Sequence, residues 1–409
     1  VTRPFGTLGR PLRNPSFRAV WLSLLLSSVG DWGARLALAI LVLDRTHSAP
    51  LSALVLAASF LPWLGPGQIL AARLGHVSRL RVMVAADLVR ALIFSVMLVH
   101  LPTWAVLALV VVAATATPPF EAARSALTVE VVAEAAYGGA VALLDITDQS
   151  AIVVGYLVGG VSVLIGGVST ALLVNVASFL LSAAVLSRVR HRSVPRAPEP
   201  VVSQLGRGLR IMWADVVIRR GVTALLLAAL PATAIEATAA AYARFVLHSP
   251  DAAGVLAAAL PIGILITVPL LPTSGSARRL IRLGALVATI GGLAGGAAFG
   301  AGHLAGAVVG YLAAGVLSAS ATPAQIAFQP RIPTRDRPAV FSVAQGMVMG
   351  TQALGAAAGG LLAASLGARP ADLGWMGVVV VLSALSFLRP VPAPAPDGVV
   401  GSARDPSRL

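Results

Sequence analysis

The stretch Trp21–Leu43, WLSLLLSSVGDWGARLALAILVL, decides the fold class. It is 23 residues long, is dominated by apolar side chains, and carries charge only at Asp31 and Arg35 near its middle. At about 1.5 Å per residue, a helix of this length crosses a bilayer core of roughly 30 Å. A charged side chain at mid-bilayer depth costs on the order of 2.5–3.5 kcal/mol on insertion scales. Asp31 and Arg35 stand at i and i+4, on one helical face. That face is expected to look into a polar cavity enclosed by further helices, not into lipid.

The rest of the chain supplies such helices. Of 409 residues, 57% are hydrophobic and 11% charged, against about 25% charged in an average soluble domain. This is the profile of a multi-pass membrane protein. A net charge of +14 would point to nucleic acid in a soluble protein. Here the charges fall in short loops between apolar runs, so they are read as topology, and no nucleic-acid partner is expected. There is no cysteine, which excludes disulfides, thiolate metal sites and thiol nucleophiles. Trp21–Leu43 is too long for a signal-peptide core, so Val1-Thr2-Arg3 is not expected to open a cleavable leader.

Twelve apolar segments are predicted, at about 17–43, 50–73, 81–99, 103–121, 138–166, 169–187, 216–242, 252–273, 279–299, 304–328, 339–366 and 371–388. In lipid a spanning segment satisfies its own backbone hydrogen bonds, so each is a helix. The expected fold is an all-α membrane protein with twelve transmembrane helices in two pseudo-symmetric six-helix bundles. Its divisions are an N-terminal segment 1–16, bundles at 17–187 and 216–389, an Arg- and Pro-rich linker 188–215, and a Pro-rich tail 390–409, expected to be disordered. With the N-terminus placed inside, 26 arginines lie in inner segments and three, Arg45, Arg244 and Arg369, in outer loops. The positive-inside rule then makes both termini cytoplasmic.

The two halves echo each other at an offset near 200. Gly155, Gly159 and Gly160 in the fifth segment return as Gly355, Gly359 and Gly360 in the eleventh. Ala116-Thr117-Pro118 returns as Ala321-Thr322-Pro323, and Asp31 falls opposite Glu236. Small residues at these helix faces let neighbouring backbones approach closely. Two parallel six-helix repeats with a site between them form a known transporter architecture.

Several stretches, taken in order, make the chain resemble the major facilitator superfamily over nearly its whole length. They are Asn14-Pro15-Ser16-Phe17-Arg18 with Gly30-Asp31-Trp32, Ser59-Phe60-Leu61-Pro62-Trp63, Ala85-Ala86-Asp87-Leu88, Pro119–Leu127 (PFEAARSAL), Asn175–Leu180 (NVASFL), and Arg331-Ile332-Pro333 with Val340-Phe341-Ser342. The branch it is most similar to is that of bacterial macrolide-efflux and enterobactin exporters. The resemblance implies gating loops at Gly67, Gly75, His76, Arg79 and Arg81, and at Arg335 and Arg337. Three departures stand out: Gly75-His76 replaces the family's Asp-Arg, Pro338-Ala339 replaces Gly-Arg, and Gly155-Tyr156 replaces the Gly-Pro of antiporters. They leave inward gating and antiport open, with a non-transporting sensor or scaffold as the alternative to a transporter.

Candidate chemistry sits on the intramembrane polar residues. Asp31 is positioned to bind a proton or a cationic substrate beside Arg35, the alternative being a structural ion pair. Asp145, Asp148 and Gln149 share one face at i, i+3 and i+4. Carboxylates that close repel when both are ionised, which suits a proton carrier, unless the face simply meets water at the cytoplasmic entrance. Gln345 and Gln352 offer neutral hydrogen bonds in the eleventh segment. Glu236 follows Pro231, whose missing N–H favours a kink in a gating helix. Asp87 and Arg90 are expected to form a structural pair, Trp32, Phe60 and Trp63 to line an apolar cavity, and Trp21 and Trp104 to anchor at the interface. Four of the six histidines (His47, His100, His248 and His303) are expected outside without a role. No phosphate loop, nucleophile elbow or zinc motif is present, so an enzyme, a metal and a cofactor are not expected. The resemblance implies a monomeric alternating-access transporter in the bacterial cytoplasmic membrane, exporting an amphipathic small molecule by proton antiport. Import is the alternative within that class.

Overall fold

A computed structural model describes residues 9–189, 191, 201–272 and 274–388. The expectations for residues 1–8, for linker positions 190 and 192–200, and for the tail lie outside the described residues. Among the described residues nine helices are long and apolar enough to cross a membrane, and the bent pair Ala49–Leu64 and Pro66–His76 makes a tenth. One long helix, Glu134–Ser187, holds two spans, because its dihedrals leave the helical region at Gly166 and Gly167. The remaining span, Arg79–Val96, is the charged one, with Arg79, Arg81, Asp87 and Arg90. The described residues therefore give all twelve expected helices.

In chain order they are α1 (Pro15–Thr46), α2 (Ala49–Leu64 with Pro66–His76), α3 (Arg79–Val96), α4 (Thr103–Val131), α5 (134–165), α6 (168–187), α7 (Val216–Phe245), α8 (Pro250–Leu270), α9 (Ala277–Gly300), α10 (Leu304–Arg331), α11 (Arg337–Leu366) and α12 (Ala368–Leu388). Local sequence sets the ends. Asn14 caps α1 by accepting from the Ser16 and Phe17 amides, and its amide donates 2.6 Å to the Val131 carbonyl at the end of α4. α2 bends by 44° at Gly65-Pro66. Gly167 turns α5 into α6 with φ +73, a left-handed value that glycine adopts without steric cost. Asp215 caps α7, and His47 and His248 end α1 and the α7 loop with φ near 50. His303 caps α10 through the Gly306 amide.

Because the spans alternate, the start of α1 and the linker share one face, termed here the terminal face; the other is the distal face. α1–α6 and α7–α12 form the two bundles. An apolar cluster joins them on the distal side, with Leu36, Leu43, Ala49 and Tyr156 meeting Ile235, Tyr242, Leu256 and Tyr311. The glycine echo has a structural meaning. Within the first bundle a Cβ on Gly159 of α5 would lie 2.6 Å from Gly33 of α1, and Gly160 faces Gly254 of α8 across the interface at 3.0 Å. In the second bundle Gly355 and Gly359 of α11 face Leu230 and Ala234 of α7, and Gly360 meets Pro50 and Ala53 of α2 across the interface. Each repeat thus uses two glycines inward and one outward.

Two local differences from the sequence reading emerge. Part of the 188–215 linker is a helix, Val201–Ala214, whose Leu205, Gly208 and Met212 form one stripe. Gly208 lies against Ala339, and a Cβ there would come within 2.8 Å of the Ala339 carbonyl carbon. Trp21 is not a free interfacial anchor: its indole N–H donates 2.8 Å to Thr147 of α5. Trp104 is 73% exposed at the start of α4.

Candidate functional site

Between the bundles, below the distal seal, lies a cavity with two lobes of about 340 and 190 Å³. The lobes share Trp32, Phe60, Asp148 and Met349. The larger extends along α7, α8, α10 and α11 to Leu225 and Gln325, in the terminal half. The smaller is bounded by Asp31, Arg35, Arg90, Glu121 and Gln345. The expected aromatic lining, Trp32, Phe60 and Trp63, is in place.

The charged groups are held in a connected set. Arg35 Nη2 lies 2.6 Å from Asp31 Oδ2, and both side chains remain about 15% exposed. The Arg35 guanidinium stacks 4.4 Å over Trp32 and 5.8 Å from Phe60, so the cation is oriented by rings as well as by its acid. Trp32 meets Tyr156 edge-on at 5.5 Å. The Tyr156 hydroxyl donates 2.5 Å to Glu236 Oε1. This hydrogen bond runs from α5 of one bundle to α7 of the other. Asp148 accepts from Ser28 of α1 at 3.2 Å.

The acids of α5 separate. Asp148 and Gln149 line the cavity, whereas Asp145 is exposed and lines neither lobe. Gln345 and Gln352 fall in different lobes, and the Oε1 atoms of Gln149 and Gln352 are buried without a partner among the described residues. Glu121, paired with Arg124, lines the smaller lobe. Glu121 stands in the Pro119–Leu127 stretch, and nothing in its spacing marks it as a site residue. Nor does the sequence mark the role of Tyr156.

Asp87 and Arg90 form a buried pair at 2.5 Å, with Ser182 donating to Asp87 at 2.6 Å and Arg90 between Phe120 and Phe179 at 4.8 and 4.4 Å. The loop residues lie outside the cavity. Gly67 abuts Pro118 of α4, and Arg79 donates 2.7 Å to the Gly75 carbonyl and stands 3.8 Å from Glu130. His76 ends α2 and Arg81 is exposed. Arg335 contacts Asp336, Arg337 reaches the Ile332 carbonyl, and Asp336 also faces Arg207 of the linker helix at 3.6 Å. On the distal face Asp44 and Arg244 pair across the bundles at 2.9 Å.

Twelve helices, two bundles and an amphipathic cavity between them define a multi-pass membrane transporter. A sequence model described as Major Facilitator Superfamily matches residues 20–301, and the chain belongs to that family. Among curated proteins it is similar to an uncharacterized MFS-type transporter, YfiS, of Bacillus subtilis, at 25% identity over 362 residues, 84% of this chain and 86% of that one. Among solved structures it resembles a bacterial homologue of the human lysosomal transporter Spinster, in an inward-facing, unoccupied conformation, with TM-score 0.72, 15% identity, and 91% and 97% of the two chains covered. The peptide transporter POT gives TM-score 0.72 at 13% identity, covering 91% and 93%. At such identities the structures speak for the fold.

Proposed function

We propose that this protein exports an amphipathic small molecule, a drug, antibiotic or siderophore, across the bacterial cytoplasmic membrane by proton-coupled alternating access. The single observation that carries this reading is the interbundle cavity, in which Asp31, Asp148 and Glu236 stand among Trp32, Phe60, Met349 and Ile264. Apolar walls hold the body of such a ligand, and a few placed polar groups orient it. The arginine distribution supports a cytoplasmic terminal face, towards which the cavity extends. The resemblance to macrolide-efflux and enterobactin exporters supports the direction. On this reading Asp31, Asp148 and Glu236 are the proton or substrate sites, Arg35, Gln149, Gln345 and Gln352 complete the binding surface, and the protein acts as a monomer.

The departure at Ala339 stands where this loop packs on the linker helix. Ala339 is 2% exposed, and its backbone carbonyl lies against Gly208 of the linker helix. The test uses inside-out vesicles with an imposed pH gradient and a panel of fluorescent amphipathic dyes. Gradient-dependent dye uptake that Asp31→Asn abolishes supports the reading. Uptake by Asp31→Asn at the wild-type rate removes Asp31 as the coupling acid, and no uptake of any dye above protein-free vesicles refutes export of this substrate class.

A further inference from the structure

The second bundle contains a polar cluster that the cavity does not use. Asp372 of α12 is 0% exposed, and its partners are hydroxyls rather than a cation. Thr238 Oγ1 of α7 is 2.9 Å from Asp372 Oδ1, and Tyr311 OH of α10 is 3.5 Å from Oδ2. Thr238 Oγ1 is also 2.7 Å from the Ile235 carbonyl and 3.3 Å from Tyr311 OH. A hydroxyl owns one proton. If Thr238 donates to Ile235, its contact with Asp372 requires a positive species from elsewhere. Two further polar atoms nearby are buried without a partner among the described residues: the Tyr242 hydroxyl, whose ring meets Tyr311 edge-on at 6.1 Å, and the Trp375 indole N–H. The nearby basic residue on α12, Arg369, is committed to the Phe299 and Gly300 carbonyls. Glu236 of α7 faces Tyr156 of the other bundle. A fully buried carboxylate is tolerated when its charge is compensated.

We propose that Asp372, Thr238 and Tyr311, with Tyr242 beside them, form a monovalent-cation site for a proton or a sodium ion inside the second bundle, separate from the interbundle cavity. All its donors are hard oxygens, as either cation prefers. An occupied site ties α7 to α10 and α12, two residues beyond Glu236. The part it plays in driving transport rests on the function proposed above; occupancy does not.

Occupancy is read on purified full-length protein in nanodiscs, without substrate. Thermal unfolding is compared in sodium and choline chloride at equal ionic strength, and infrared difference spectra are searched for the carbonyl stretch of a protonated acid at neutral pH. A sodium site gives a Tm rise of about 2 °C or more that Asp372→Asn removes. A proton site gives no sodium effect but an acid band that Asp372→Asn removes and that Asp148→Asn and Glu236→Gln leave. If Asp372→Asn does not fold, Thr238→Val takes its place and must weaken the sodium effect or shift the band. No sodium effect together with no band sensitive to Asp372 or Thr238 overturns the site. Dye transport in vesicles then still stands or falls separately.

Discussion

Replacing Tyr156 by Phe removes one oxygen and, with it, the hydrogen bond that crosses from α5 to Glu236 of α7. A hydrogen bond of this kind contributes about 0.5–1.5 kcal/mol net. The bond joins the bundles on their distal side, so its loss weakens only the arrangement in which they are closed there. At about 1.4 kcal/mol per tenfold, the ratio of distal-closed to distal-open molecules should fall by roughly twofold to tenfold. The ring and its edge contact with Trp32 survive in Phe, so a general loss of packing is not expected. The chain lacks cysteine, so spin labels attach only where cysteines are introduced. Trp104→Cys and Leu304→Cys, exposed by 73% and 49% at the distal starts of α4 and α10, report the distance between the bundles. Pulsed-dipolar spectra of Tyr156→Phe should gain a long-distance population. Spectra identical to those of the Tyr156 protein would refute the claim that this bond holds the distal side shut.

Other perturbations follow from the same geometry. Gly159→Val places atoms where Gly33 already sits, and should cost about 1–3 kcal/mol or more, read as a lowered Tm. Asp87→Ala leaves Arg90 buried without its acid and should cost about 3–5 kcal/mol, seen as poor yield and a low Tm. Asp44→Asn should change stability by no more than about 1 kcal/mol, an effect that vanishes in high salt, because the pair is 37–46% exposed. Gly208→Val places side-chain atoms where the Ala339 carbonyl already sits and should undock the linker helix, making the 201–214 segment cleavable by protease while the bundles stay folded.

The twelve spans were legible because a bilayer fixes helix length, and length survives in composition. Even the α5–α6 break was readable, since Gly166-Gly167 interrupts a single long apolar run. Asp31, Asp148 and Glu236 were legible as cavity residues for a related reason: charge that deep has few tolerable surroundings. What the sequence hid was rotation and partnership. A shared helical face put Asp145 with Asp148, yet Asp148 lines the cavity and Asp145, one turn nearer the terminal face, is exposed. Tyr156 read as a departure from an antiporter pattern, while its hydroxyl is the donor that reaches Glu236. The 201–214 helix was masked by its Arg and Pro neighbours, although Leu205, Gly208 and Met212 repeat with helical spacing. Ala339 looked like a lost charge and is instead a floor for Gly208.

The glycine seams carry a kinetic consequence. Where Gly160 meets Gly254, and where Gly360 meets Pro50 and Ala53 of α2, only backbone and small side chains touch, so little interlocks at those points. The two seams sit at equivalent places in the repeats and act as paired bearings. The large side chains that join the halves are gathered instead in the distal apolar cluster, which a rocking motion has to unpack.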